Sequence, residues 1–139
     1  MIKIIDTHQH LWDLEKLKLP WLDNVPALKK EHLPAHYLKA SEGTGIKRTI
    51  YMEVDAHADH KQKEIEDMTM LCKSGDEIMQ GMVISANPGD SGFSKFLEKN
   101  SGNHFIKGIR QVLHTPEQPA KYCLSTQFRK GIRELGKRG

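Results

Sequence analysis

The stretch Ile2-Lys3-Ile4-Ile5-Asp6-Thr7-His8-Gln9-His10 decides the fold. Ile2 to Ile5 is short, apolar and β-branched, as a buried strand is, and it runs into an Asp-x-His-x-His cluster where a loop should begin. In a nucleotide-binding open sheet a glycine-rich turn occupies this position. Here it holds two imidazoles and a carboxylate. Side chains alternate along an extended chain, so Asp6, His8 and His10 are expected on one side, the two histidines about 7 Å apart at Cα for a rise of roughly 3.3 Å per residue. Neutral imidazole is the commonest protein ligand for zinc-like ions, and a carboxylate two residues earlier orients a ring or joins the coordination sphere. The competing reading is two surface histidines brought together by chance, since the chain holds 8 histidines in 139 residues.

Outward from this strand, the pattern alternates. Residues 11–34 contain Trp12, Pro20, Trp21, Pro26 and Pro34, too many prolines for a helix and too many large apolar groups for a disordered linker, so they read as a structured covering loop. Helices are expected at 34–40, with proline in the first turn and Gly43 to Gly45 as the stop, then at 60–74, 91–100 and 125–135. In the second of these Ile65, Met68, Leu71 and Cys72 form the apolar stripe, charges occupy the other side, and Ser74-Gly75 closes it; in the third Phe93, Phe96 and Leu97 point inward. Strands are expected at 49–54, 79–86 and 104–109. The order β, α, β, α, β, α, β, α argues for parallel strands joined by right-handed crossovers. A small doubly wound sheet and part of a (β/α)8 barrel both satisfy it, and in both the functional groups gather at the C-terminal ends of the strands. That rule selects Asp6, His8 and His10, then Glu53 and Asp55, then Ser85 and Asn87, then Arg110, Gln111 and His114.

Composition narrows the class. The chain is 37% hydrophobic and 28% charged, ordinary for one globular domain. A net charge of +3 is too small to argue for nucleic acid, and Arg129, Lys130, Arg133, Lys137 and Arg138 read as a solvated helix face. No apolar run approaches the roughly 20 residues of a membrane span, and no signal-peptide stretch opens the chain, so the cytoplasm is the expected location. Cys72 and Cys123 match no zinc or redox spacing and read as reduced thiols.

Asp6-Thr7-His8-Gln9-His10-Leu11-Trp12-Asp13, then Trp21-Leu22, Leu33-Pro34 and Lys107-Gly108-Ile109-Arg110, in that order and spacing, resemble the amidohydrolase-related proteins, and within them the sugar-lactone and dicarboxylate-lactone hydrolases. The resemblance implies a (β/α)8 barrel of which residues 1–139 supply the N-terminal half, about four of eight units. It implies hydrolysis of a lactone C–O bond by activated water, with His8 and His10 either ligating one divalent, zinc-like ion or acting without metal as general base and hydrogen-bond donor. In metal-using members further ligands and an aspartate base come from later strands, which lie outside these units. The chain is therefore expected to be a fragment, inactive alone or dependent on a partner, with self-association through the open barrel edge as the rival. A decarboxylase of the same superfamily and a non-catalytic binding product are the alternative functions.

The substrate is expected to be a small molecule. Arg110 suits its carboxylate or ring oxygen, since the planar guanidinium offers a fork of donors, and Glu53 either pairs with Arg110 or binds hydroxyls. His114 and Trp12 complete the expected substrate contacts, with Trp21 beside Trp12 over the pocket. Lys107 has the opposite parity to Arg110 and is expected to face the helices. His57 and His60 read as a solvated turn, and His32 and His36 as surface.

Overall fold

The computed structural model describes residues 3–74, 78–115 and 118–138. Four β/α units follow in order: β1 (Ile4–Gln9), α1 (Pro34–Ala40), β2 (Ile46–Met52), α2 (Lys61–Lys73), β3 (Met79–Ser85), α3 (Phe93–Asn100), β4 (Ile106–Arg110) and α4 (Thr126–Gly136). The strands form one parallel sheet in the order β1-β2-β3-β4. Of the residues named in the expectations, Ile2 and Gly75 lie outside the described residues.

Alternation along the strands separates two unlike faces. Thr49, Tyr51, Met82 and Ile84 are buried; Tyr51, Met82 and Ile84 belong to a core shared with Ile65 and Met68 of α2. Ile50, Met52 and Val83, on the opposite parity, are only half-buried, and Ile5 is 57% exposed. One face is thus roofed by helices and the other is open, as the interior of a barrel is before its remaining strands close over it. The loop after β1 is ordered as expected. Leu11, Trp12, Leu17, Leu19 and Leu22 are buried in the same core, Trp12 and His32 exchange two backbone hydrogen bonds of 2.9 Å, and short 3-10 turns at Pro20–Asn24 and Pro26–Leu28 each start on a proline.

Two expectations need correction. The apolar run suggests that the first strand ends before the histidines, but β1 continues to Gln9, because pairing with β2 carries the chain on in extended form. The three steps from Asp6 to Gln9 face only two from Thr49 to Tyr51, a bulge that breaks the alternation. Asp6 therefore falls on the helix side with Thr49, where it accepts hydrogen bonds from the Tyr37 hydroxyl at 2.6 Å and the His8 backbone N–H at 3.0 Å. It neither orients an imidazole nor joins one. The second correction concerns α2, where Glu64 is not on a charged outer face but only 2% exposed.

Candidate active site

At the C-terminal rim of the sheet, His8 and His10 converge. Their Nε2 atoms are 3.1 Å apart and their rings meet edge to face with centroids at 4.9 Å. His10 Nδ1 lies 2.9 Å from the Met52 carbonyl, an acceptor only, so the Nδ1 proton is on His10 and its Nε2 presents a lone pair. The 3.1 Å contact then makes His8 Nε2–H the donor. Burial, reinforced by the charges of Arg110 and His8 and opposed by the Met52 hydrogen bond and Glu53, holds His10 below the usual imidazole range. The ring that faces the pocket is therefore neutral, as a ligand or a base must be.

Zinc–imidazole bonds are about 2.0–2.1 Å, so two nitrogens 3.1 Å apart lie within the span of one ion. Among the described residues no group of three or more His, Cys, Asp or Glu side chains is placed to hold an ion, so His8 and His10 could supply at most two ligands.

Across the rim Arg110 is held rather than free. Its Nε donates to Glu53 Oε1 and one Nη donates to the Glu53 carbonyl at 3.0 Å. Glu53 is 1% exposed, and its other oxygen accepts the Asp55 backbone N–H at 2.8 Å. A buried carboxylate thus fixes the guanidinium and the loop after β2 together. His10, Arg110, Trp12, Trp21, Asp55 and His114 line one cavity of about 420 Å³. His10, Arg110, Trp12 and His114 thus share one cavity; Trp12 is buried with its indole N–H bound to the Lys30 carbonyl, and His114 stands exposed at the cavity edge. Glu53 sits behind the wall, and His8 reaches the site through His10.

The remaining candidates fall away from this cavity. Lys107 is exposed and donates to the His104 carbonyl. His57 precedes and His60 ends the 3-10 turn Ala58–His60, and His60 Nδ1 accepts the Lys18 N–H at 3.0 Å, pinning the covering loop. His36 is exposed, whereas His32 is half-buried against Trp12, with ring centroids 4.2 Å apart. Cys72 and Cys123 are free, and burial pushes the Cys72 thiol up to about 11, so it is inert. Among the described residues no helix is long and apolar enough to cross a membrane.

Asp55 was legible as a strand-end carboxylate but not as the hinge of the site. It takes φ 49°, a left-handed conformation that an aspartate adopts more readily than most residues, and nothing in Val54-Asp55-Ala56 marks it.

No family model matches the sequence. Amidohydrolase 2 from Bifidobacterium longum subsp. infantis is similar in structure, with a TM-score of 0.70 at 24% identity, over 100% of this chain and 50% of that one. An amidohydrolase from Burkholderia multivorans matches in two crystal structures, one with bound HEPES (TM-score 0.76, 16% identity) and one with bound zinc (TM-score 0.74, 17% identity), each over 98% of this chain and 46% of that one. The chain has the fold of part of a (β/α)8 barrel, like half of each of these amidohydrolase structures. A curated relative, uncharacterized protein y4mH of Sinorhizobium fredii, is 25% identical over 155 residues, covering 99% of this chain and 52% of that protein. The chain spans about half the length of the proteins it matches. In a barrel of this kind the C-terminal strand ends form the mouth, where His8, His10 and Arg110 stand.

Proposed function

We propose that the chain carries one wall of an amidohydrolase-type site that hydrolyses the C–O bond of a sugar-acid or dicarboxylate lactone. The observation that carries this reading is the meeting of the His8 and His10 Nε2 atoms, 3.1 Å apart, beside an arginine fixed by a buried glutamate. Lactone hydrolysis needs a nucleophilic water, a polarised carbonyl and a cationic group for the acid. His8 and His10 would hold a divalent ion as two of its ligands; such an ion, when bound, lowers the pKa of water and polarises a carbonyl. The Met52 carbonyl fixes the His10 lone pair toward His8 Nε2, and a cation held between the two rings, or a water proton, would take the place of the His8 N–H there. Arg110, with Nε and one Nη committed to Glu53, has its remaining N–H groups for the substrate's carboxylate or ring oxygen. Trp12 and Trp21, edge to face at 5.7 Å, form an apolar flank and shield the cavity from water. The further ligands and the general base belong to the remaining barrel strands, supplied in the same polypeptide or by a partner.

A panel of aldonolactones and dicarboxylate lactones, assayed with EDTA and again after zinc addition, tests the reading together with zinc titration of the apo chain. Zinc should bind weakly to the wild type and not to His8→Ala or His10→Ala, and any lactone turnover should vanish in both variants. Turnover that survives both substitutions would sink it, as would release of carbon dioxide without ring opening, or the absence of both zinc binding and turnover.

A further inference from the structure

The mouth is not one cavity but two. Beside the cavity of about 420 Å³ that holds His10 and Arg110 lies another of about 500 Å³, lined by Asn24, His57, Lys61 and their neighbours. Trp21, Asp55 and Thr115 line both, so these three side chains stand at the junction. The second cavity belongs to no part of the hydrolytic chemistry above, and its polar groups are of mixed kind. Lys61 Nζ and the Asn24 amide offer donors, the Asp55 carboxylate offers acceptors, and none of the three side chains makes a hydrogen bond or ion pair among the described residues.

We infer that this second cavity takes the polyhydroxylated arm of an aldonate-type substrate, with Asp55 as the specificity-determining acceptor for a hydroxyl. The inference rests on the lactone reading, which places the substrate's acid end at Arg110. Hydroxyls both donate and accept, so a polyhydroxylated arm offers a donor to Asp55 and an acceptor to Lys61 or Asn24; a second carboxylate accepts only, so whatever it gains at Lys61 it brings no donor to Asp55. Asp55 is also placed for the task with unusual firmness. Its φ of 49° turns the chain at the junction, and the Glu53 oxygen that takes its N–H belongs to the carboxylate that grips Arg110. The distance between the acid-binding arginine and the hydroxyl acceptor is therefore set by one buried side chain. Trp21, tied by its indole N–H to the Val54 carbonyl at 2.8 Å, gives the junction an apolar ring against which the C–H face of the arm packs.

D-gluconate, D-glucarate and hexanoate, none of them hydrolysable, serve as probes by calorimetric or NMR titration of the whole chain. Gluconate should bind about tenfold more tightly than hexanoate, which has no hydroxyl, the difference of one hydrogen bond to a charged acceptor. Glucarate should bind more weakly than gluconate. Asp55→Asn and Asp55→Gly should bring the gluconate to hexanoate ratio near one, on top of the uniform gain that loss of a negative charge gives both anions. Asp55→Gly should also keep or raise the melting temperature, because glycine adopts the left-handed φ without strain. A ratio unchanged in both variants, equal affinities in the wild type, tighter binding of glucarate, or no binding of gluconate overturns the inference. The lactone reading stands or falls separately, on turnover, which none of these titrations measures.

Discussion

Two glutamates with nearly the same exposure do opposite things. Glu53, 1% exposed, is matched by Arg110 and by the Asp55 N–H, so its charge is compensated. Replacing it by alanine leaves a half-buried guanidinium without its counter-charge and frees the loop after β2. Breaking a buried pair by removing one partner costs about 3–5 kcal/mol, and the 33% exposure of the Arg110 side chain places Glu53→Ala at about 3 kcal/mol, readable by urea denaturation. Glu64, 2% exposed, makes no ion pair among the described residues, the charge of Lys61 acting on it only weakly. Its Oε1 accepts from the Tyr51 hydroxyl at 2.7 Å and the Val54 N–H at 2.9 Å, while Oε2 is buried with no partner among the described residues. Burial raises its pKa, and the two hydrogen bonds only partly offset this. The folded state therefore holds the Glu64 proton more tightly than the unfolded chain does. The corresponding stability is fully present below the ordinary carboxylate pKa of about 4.3 and is lost as pH rises through the raised value. Wild-type stability relative to Glu64→Gln should thus decline from pH 4 toward pH 7. A difference that stays flat over that range would mean that folding does not raise the Glu64 pKa.

Among the elements, α4 is the one whose packing runs against propensity. Gly131 lies mid-helix, where alanine would ordinarily gain about 1 kcal/mol. A Cβ there would meet the Pro88 carbonyl oxygen at 2.1 Å and its carbon at 2.8 Å, both backbone atoms in the loop after β3. Overpacking against backbone costs about 1–3 kcal/mol, so the clash outweighs the propensity gain and Gly131→Ala should lower the melting temperature. An unchanged or higher melting temperature would show that α4 can move off the sheet at no cost. The order of elements was legible because it rests on local periodicity: Ile65, Met68, Leu71 and Cys72 at helical spacing, and β-branched runs between turns. The end of β1 and its bulge were not, since they come from pairing between Asp6 and Thr49 and between Gln9 and Tyr51, residues more than forty apart in the chain. The same gap explains the site. His8, His10 and Arg110 stand out by residue type and strand-end position, whereas the burial of Glu64 shows only as its place four residues before Met68 on the inner stripe. The junction role of Asp55 depends on a backbone angle and on two cavities that no spacing encodes.

At the scale of the molecule, the contrast between the two faces of the sheet is the dominant fact. The helix side holds Tyr51 at 1% exposure and Met82 at 0%, while the other side shows Ile5 at 57% and half-buried Ile50, Met52 and Val83. In a closed barrel that second face is the packed interior. Uncovered, it presents Ile5, Ile50, Met52 and Val83, with Arg48 beside Ile5, between two edge strands, which favours association. We propose that the isolated chain self-associates through this face. Ile5→Lys tests it, because the residue already exposes more than half its surface: little burial is lost in the monomer, and a charge enters the open face on its edge strand β1. The variant should shift sedimentation and size-exclusion profiles toward monomer and bind less of a hydrophobic dye, with a melting temperature close to wild type. Leu38 on α1, 46% exposed on the helix side, provides the control for general surface charging. If Leu38→Lys has the same effect as Ile5→Lys, association is driven by net charge rather than by the open barrel face, and the proposal fails.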